Sequence, residues 1–225
     1  LYACSHDDSI CAKMNIDQRK RIIAVSPDGV DVSGTGEIFP AKSAKPVKSI
    51  AQAIVILQNK AECVTRFSCT IFLIAPKLWK PGDTPYTYGT KNCGIRITGV
   101  SFKVSSLYGP THTKLTCDNQ LQMLSIVDSF VSFRGITMED GASDRGGGFS
   151  VVSTGTDFPD APHLEFFDSK IGGCNSTKTG GAIYAQGKAF ISLKATQIHG
   201  SHAAIAGGGV HLYGASLKLD SESLI

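Results

Sequence analysis

"GGGVHLYG", residues 207–214, sets three glycines directly before an alternating Val-His-Leu-Tyr run. Glycine inside a strand weakens it and marks a bend or a close backbone approach. The same arrangement occurs twice more, as "GGGFSV" at 146–151 and "GGAIYA" at 180–185. Gly180 and Gly207 are 27 residues apart, and the same offset links Phe166 to Leu193, Ile171 to Ile198 and Ser176 to Ala203. Phe133 and Phe166 are 33 apart, with the surplus falling in the loop-like "STGTDFPDAP" at 153–162. A small residue (Ala142, Ser176, Ala203) stands four places ahead of each glycine run. A fixed period of roughly 20–50 residues is the mark of a repeat array.

Within each unit the apolar residues alternate over short stretches, as in half-buried strands, and no helical period spans a unit. Three short strands joined by tight bends make one turn of a parallel β-helix, with turns stacked about 4.8 Å apart. The glycines then occupy one corner in register, at Gly146–Gly148, Gly180–Ala182 and Gly207–Gly209. There they permit positive φ and close approach between turns. On the premise of positive φ at Gly181, Gly181→Val is expected to be costly. Upstream, "TIFLIAP", "CGIRITG", "HTKLTC", "LQMLSIV" and "FVSFRGITM" continue the pattern of short strands between turns, and Ile97 to Leu124 repeats the 27-residue offset.

Residues 1–60 read differently. "KRIIAVSPDGVDVSGTG" predicts one strand and a polar loop, and "SIAQAIVILQNK" at 49–60 predicts a helix. Ser49 with Gln52 fits a capping box, and Ile50, Ile54 and Leu57 share one face. A solenoid needs its open end covered, so this helix is expected to cap it. The organisation expected is an N-terminal segment with its capping helix over 1–60 and β-helix turns over 61–225.

"SPDGVDVSGTGEIFPAKSAKPVKSIAQAIVIL" resembles the opening segment of pectin-lyase-fold proteins. "FVSFRGITMEDGASDRGGGF" and "QIHGSHAAIAGGGV" resemble the GGA[ILV] repeats of polymorphic outer-membrane adhesins and of large extracellular β-helix proteins of eukaryotes. The resemblance covers roughly residues 22–225 and implies an all-β, right-handed parallel β-helix. The repeated FxxN element of the adhesins is missing.

The 22 basic and 19 acidic residues leave a net charge of +3 with no basic block, which argues against nucleic acid as a partner. Apolar runs fall short of the roughly 20 residues of a membrane helix, so direct membrane insertion is not expected. The opening "LYACSHDDS" lacks the n- and h-regions of a signal peptide, so a mature or trimmed chain is expected. None of the seven cysteines forms a CxxC pair. Cys4 with Cys11, Cys63 with Cys69 and Cys93 with Cys117 are candidate disulfides of an oxidising compartment, and Cys174 is left over. The sequon "NST" makes Asn175 a candidate glycosylation site on an expected turn. Together these point to the extracellular space or the cell surface.

Enzymes of the resembling fold cut acidic polysaccharides with calcium-binding aspartates and an Arg or Lys base, or with paired aspartates. Hydrolysis needs two carboxyl groups in different protonation states. The candidates here are Asp140, Asp144 and Arg145, with Glu139 beside them in "MEDGASDRGGG" and Asp157, Asp160 and Asp168 as a looser set. They are read as a solvated turn rather than a catalytic centre. His199, His202 and His211 are read as turn and surface residues rather than metal ligands. Trp79, Tyr86 and Tyr88 are read as a packed loop rather than a sugar platform. No cofactor or metal is expected.

The function expected is a non-catalytic extracellular structural or adhesive module, with a carbohydrate-active lyase, hydrolase or epimerase as the alternative. Expected partners are proteins, or further copies through an open C-terminal turn, and carbohydrate. Leu217 and Leu219 start another turn, and no cap follows them. Leu217, Leu219, Leu224 and Ile225 are therefore expected to be covered by further chain or by a neighbouring subunit.

Overall fold

The computed structural model describes residues 22–28, 46–59, 63, 69–75, 80, 82–155 and 162–225. The chain opens with β1 (Ile22–Val25) and helix α1 (Ile50–Gln58). Two turns of three strands follow: β2 (Cys69–Leu73), β3 (Tyr86–Tyr88) and β4 (Ile95–Thr98), then β5 (Ser101–Ser106), β6 (Thr113–Thr116) and β7 (Leu124–Val127). The next two turns carry four strands each. They are β8 (Phe130–Arg134), β9 (Thr137–Glu139), β10 (Ala142–Arg145) and β11 (Phe149–Val152), then β12 (His163–Phe167), β13 (Lys170–Gly172), β14 (Asn175–Thr179) and β15 (Ile183–Gln186). A last turn holds β16 (Phe190–Lys194), β17 (Gln197–His199), β18 (His202–Ala203) and β19 (Val210–Tyr213), and β20 (Ser216–Leu219) begins another.

Each strand pairs in parallel with the equivalent strand one turn away, which makes a β-solenoid of about five turns. Its sheets run β1-β2-β5-β8-β12-β16-β20, β3-β6-β9-β13-β17, β10-β14-β18 and β4-β7-β11-β15-β19. The offsets read from sequence reappear as registers: Phe133 pairs Phe166, Phe166 pairs Leu193, Ile171 pairs Ile198 and Ser176 pairs Ala203. Two details differ. Ile97 pairs Ile126, not Leu124, because the early turns are longer by two residues at that point. Ser143, not Ala142, pairs Ser176, and the register shifts between Ser143 and Arg145.

The interior is built by alternation. Val104, Phe133, Phe166 and Leu193 form one inward column, and Leu115, Met138, Ile171 and Ile198 form another. All are buried, and each large side chain contributes about 1.5–3 kcal/mol by leaving water. At the opening stretch's corner, Gly146, Gly180 and Gly207 take φ of 65, 68 and 68°, a region that favours glycine. The next glycine of each run is not left-handed but stacked: Gly181 N donates to Gly207 O at 2.9 Å, and Gly147 N to Gly180 O at 3.2 Å.

Helix α1 lies where the sequence places it. Ser49 Oγ accepts from Gln52 N at 3.2 Å, and Ile50 N donates to Asn92 Oδ1 at 2.7 Å. Ile50, Ala53, Ile54 and Leu57 are buried, with the helix packed on β1 and β2 at the first turn.

Cys63–Cys69 and Cys93–Cys117 are disulfides, and Cys174 is a buried free thiol. Cys4 and Cys11 lie outside the described residues. Burial pushes the Cys174 thiol up to about 11. Peptide mapping without reductant should recover both linked peptides, with Cys174 alkylated at neutral pH only after unfolding. The Cys93–Cys117 bond closes the longer loop, so its loss should cost roughly 3–4 kcal/mol against about 2 for Cys63–Cys69. Reduced Cys93 and Cys117 in protein purified without reductant, or rapid native labelling of Cys174, would contradict this.

Candidate functional site

The acidic run at 139–144 wraps the corner leading into β10, and its members end up with separate partners. Glu139 pairs with the Lys114 ammonium one turn below. Asp140 takes φ 59° at the bend, a left-handed conformation that Asp tolerates better than most residues. Asp144 stands near the end of β10, where Lys178 Nζ reaches one carboxylate oxygen at 2.8 Å and Thr177 Oγ1 donates to the other at 2.7 Å. Those two hydrogen bonds hold the Asp144 carboxyl below its ordinary range, the opposite of what a general acid requires. Asp140 and Asp144 are four residues apart along a chain that is extended from Ala142 onward, and they share no partner.

The structure instead brings Asp140 toward Asp118, a residue that sequence reasoning did not select. Thr116 Oγ1 lies 3.4 Å from Asp140 Oδ2 and 3.2 Å from Asp118 Oδ1. Asp118 and Asp140 sit 22 residues apart in neighbouring turns, and the turn carrying Asp118 lacks the glycine run that marks the period elsewhere.

Arg145, the last residue of β10, faces the outer side of β15 and β19. Its guanidinium lies 5.5 Å from the centroid of the Tyr184 ring, and the His211 imidazole stacks on Tyr184 at 5.7 Å and 12°. Tyr184 Oη donates to Gln186 Oε1 at 2.8 Å. Tyr184 pairs His211 and Gln186 pairs Tyr213 in the parallel register, so outward-facing residues line up from turn to turn. These groups, with Lys178, Thr179 and Ile205, line an open cavity of about 400 Å³. Tyr184, Gln186 and Tyr213 were not singled out in the sequence, although both outward pairs repeat at 27 residues.

The remaining candidates disperse. His199, His202 and His211 fall on three different sheets, and among the described residues no group of three or more His, Cys, Asp or Glu side chains is placed to hold a metal ion. Asp168 occupies a left-handed corner at φ 45°. Tyr86 and Tyr88 are core residues: Tyr88 Oη donates to Val25 O and Ile74 O at 2.9 Å, and Tyr86 Oη accepts from Thr113 Oγ1 at 2.6 Å. Trp79, Asp157 and Asp160 lie outside the described residues. Asn175 is exposed at the start of β14 rather than on a turn, with Nδ2 donating to Asn119 Oδ1 at 2.8 Å. No helix among the described residues is long and apolar enough to cross a membrane. Comparison with protein-family models, curated proteins and solved structures finds no match to this chain.

Proposed function

We propose that the protein is a non-catalytic extracellular structural or adhesive module, a β-helix of the pectin-lyase type that serves as a rigid surface for partners. The observation that carries this reading is the commitment of the acidic corner to protein partners. Asp144 is tied to Lys178 and Thr177, and Glu139 to Lys114. The Asp144 carboxyl, held below its ordinary range by those bonds, favours the ionised form and lacks the proton a leaving group would need. Two disulfides and the exposed sequon at Asn175 support the extracellular placement. Leu219, Leu224 and Ile225, exposed at the last described turn, are the contacts proposed for a protein partner or a second copy.

A hydrolase is the second reading, favoured by the approach of Asp118 and Asp140 to one hydroxyl, Thr116 Oγ1. One assay separates the two. Purified protein incubated with polygalacturonate and with sulfated glycans, with and without calcium, is expected to yield no new reducing ends and no unsaturated products. Turnover that disappears in Asp118→Asn, Asp140→Ala or Asp144→Ala would replace the structural reading with the enzymatic one.

A further inference from the structure

We infer that Asn175 accepts an N-linked glycan before its turn is stacked, and that the glycan then stands over the corner formed by Asp118, Asn119 and Asp140. Asn175-Ser176-Thr177 is the one N-x-[ST] triplet in the chain, and such triplets ordinarily sit on accessible loops. Here it lies in β14, the middle strand of the sheet β10-β14-β18. Asn175 pairs Ala142 on one side and His202 on the other. Its backbone N donates to Gly141 O at 2.8 Å, and His202 N donates to Cys174 O at 2.8 Å. Asn175 and Thr177 share the exposed face of the strand, yet the two groups that glycan transfer uses are both engaged. Asn175 Nδ2 donates to Asn119 Oδ1 at 2.8 Å and to Gly173 O at 3.2 Å, while Thr177 Oγ1 donates to Asp144 Oδ1 at 2.7 Å.

The transfer itself makes the order matter. Asn175 Nδ2 attacks the anomeric carbon of an oligosaccharide carried on a polyprenyl pyrophosphate. The N–C bond forms, the C–O bond to phosphate breaks, the lipid pyrophosphate leaves with the electron pair, and the amide nitrogen gives up one proton. In the folded chain both amide hydrogens are held by acceptors, in a strand bonded on two sides. They must be released first, and that release waits on local opening of the turn. During synthesis no opening is needed. His202 and Ala203, which pair with β14 from the next turn, follow Asn175 and Ser176 by 27 residues, so the triplet emerges before its cover exists.

Once the glycan is in place the amide keeps a single N–H, enough for one of its two acceptors. The sugar therefore starts beside Asn119, whose N donates to Asp140 O at 2.7 Å. Its neighbour Asp118 approaches the same Thr116 hydroxyl as Asp140. A Cβ at Gly173 would lie 2.5 Å from Asp140 Oδ1, so that carboxylate packs directly on the bend preceding Asn175. A bulky, polar glycan there covers the corner that the hydrolase reading requires. The inference rests on the extracellular reading for its compartment alone.

The whole chain, translated behind a cleavable leader in the presence of microsomes, should gain a glycan at Asn175, and Thr177→Ala should gain none. Asn119→Ala should be occupied as fully as the parent, because its contact forms after transfer. Folded chain made without glycan is then offered to solubilised oligosaccharyltransferase and its lipid-linked donor. It should react about 10-fold or more slowly than an open peptide of residues 170–181, since only the opened turn can react. Carbodiimide labelling of Asp118 should fall several-fold in the glycosylated protein relative to Thr177→Ala, with exposed Asp83 in an earlier turn unchanged. Unchanged circular dichroism would show the variants folded. Absence of a glycan in microsomes would overturn the acceptor. Equal rates for folded chain and peptide, or reduced occupancy in Asn119→Ala, would overturn the order of events. Equal labelling of Asp118 with and without the glycan would overturn the cover. Microsomes supply the compartment, so a chain that its own cell keeps out of the secretory route would overturn the extracellular reading and not these results.

Discussion

Gly181→Ala is expected to destabilise the protein by about 3 kcal/mol, the upper end of the usual cost of overpacking, and Gly181→Val by more. For a chain of this size that is a fall in Tm of roughly 6–12 °C. A Cβ at Gly181 would lie 2.7 Å from both N and O of His202 and closer still to Gly208 O. Those atoms are backbone of the next turn, fixed by the ladder in which Gly181 N bonds Gly207 O and His202 N bonds Cys174 O. They cannot yield without separating the turns. The reason is therefore crowding between stacked corners and not the left-handed φ expected from the sequence, which belongs to Gly180 instead. Gly89→Ala is the matched control. Its backbone is extended and a Cβ there meets nothing within 4 Å, so alanine should be neutral or add up to about 1 kcal/mol by restricting the unfolded chain. Equal midpoints for Gly181→Ala and Gly89→Ala would contradict the stacking of the glycine corner.

That corner also shows how far the sequence could be read. The glycine runs announced the fold because the constraint they satisfy, two backbones in contact, recurs at the same corner of the last three turns and glycine meets it best. The inward columns were legible for a similar reason, since alternation at Phe166, Leu193, Ile171 and Ile198 survives in the sequence at one offset. The short strands β10, β14 and β18 were not legible. "ASDR" and "NSTKT" are polar and carry no apolar alternation, so they look like turns, yet stacking on the neighbouring turn gives their backbones partners. The candidate site was half legible. Asp144 and Arg145 were picked out by charge and His211 as a histidine, but the cavity is completed by Tyr184, Gln186 and Tyr213, whose side chains face outward from strands and carry no chemical motif. Asp118 approaches Asp140 across a turn of irregular length, and no periodic signal connects them.

Phe166→Ala is expected to cost about 3–5 kcal/mol, the range for emptying a buried aromatic site. Phe166 is fully buried. Its ring stacks on Phe133 at 5.5 Å and 15° and meets Phe149 edge-on at 5.1 Å and 71°, contacts worth more than the area alone. The site cannot collapse around the gap, because the facing rings are anchored on separate strands held in register above and below. One residue further along the same strand, Phe167 points outward, half-buried, with Lys194 Nζ 4.6 Å from its ring centre. Phe167→Ala should cost no more than about 1 kcal/mol, the scale of an exposed cation–π contact. The pair is a direct test of strand parity, since a register slip of one residue would exchange the two side chains and invert the result. In a solenoid each turn is stabilised chiefly by its neighbours, so the cavity left by Phe166→Ala should loosen the adjacent turn, which carries both Phe133 and Phe149, first. Hydrogen exchange should then rise earliest at Val131, Phe133 and Val151, ahead of the amides of β2 and β5. Uniform loss of protection along the whole chain would mean that the turns unfold as one unit and that the interior column does not partition by turn.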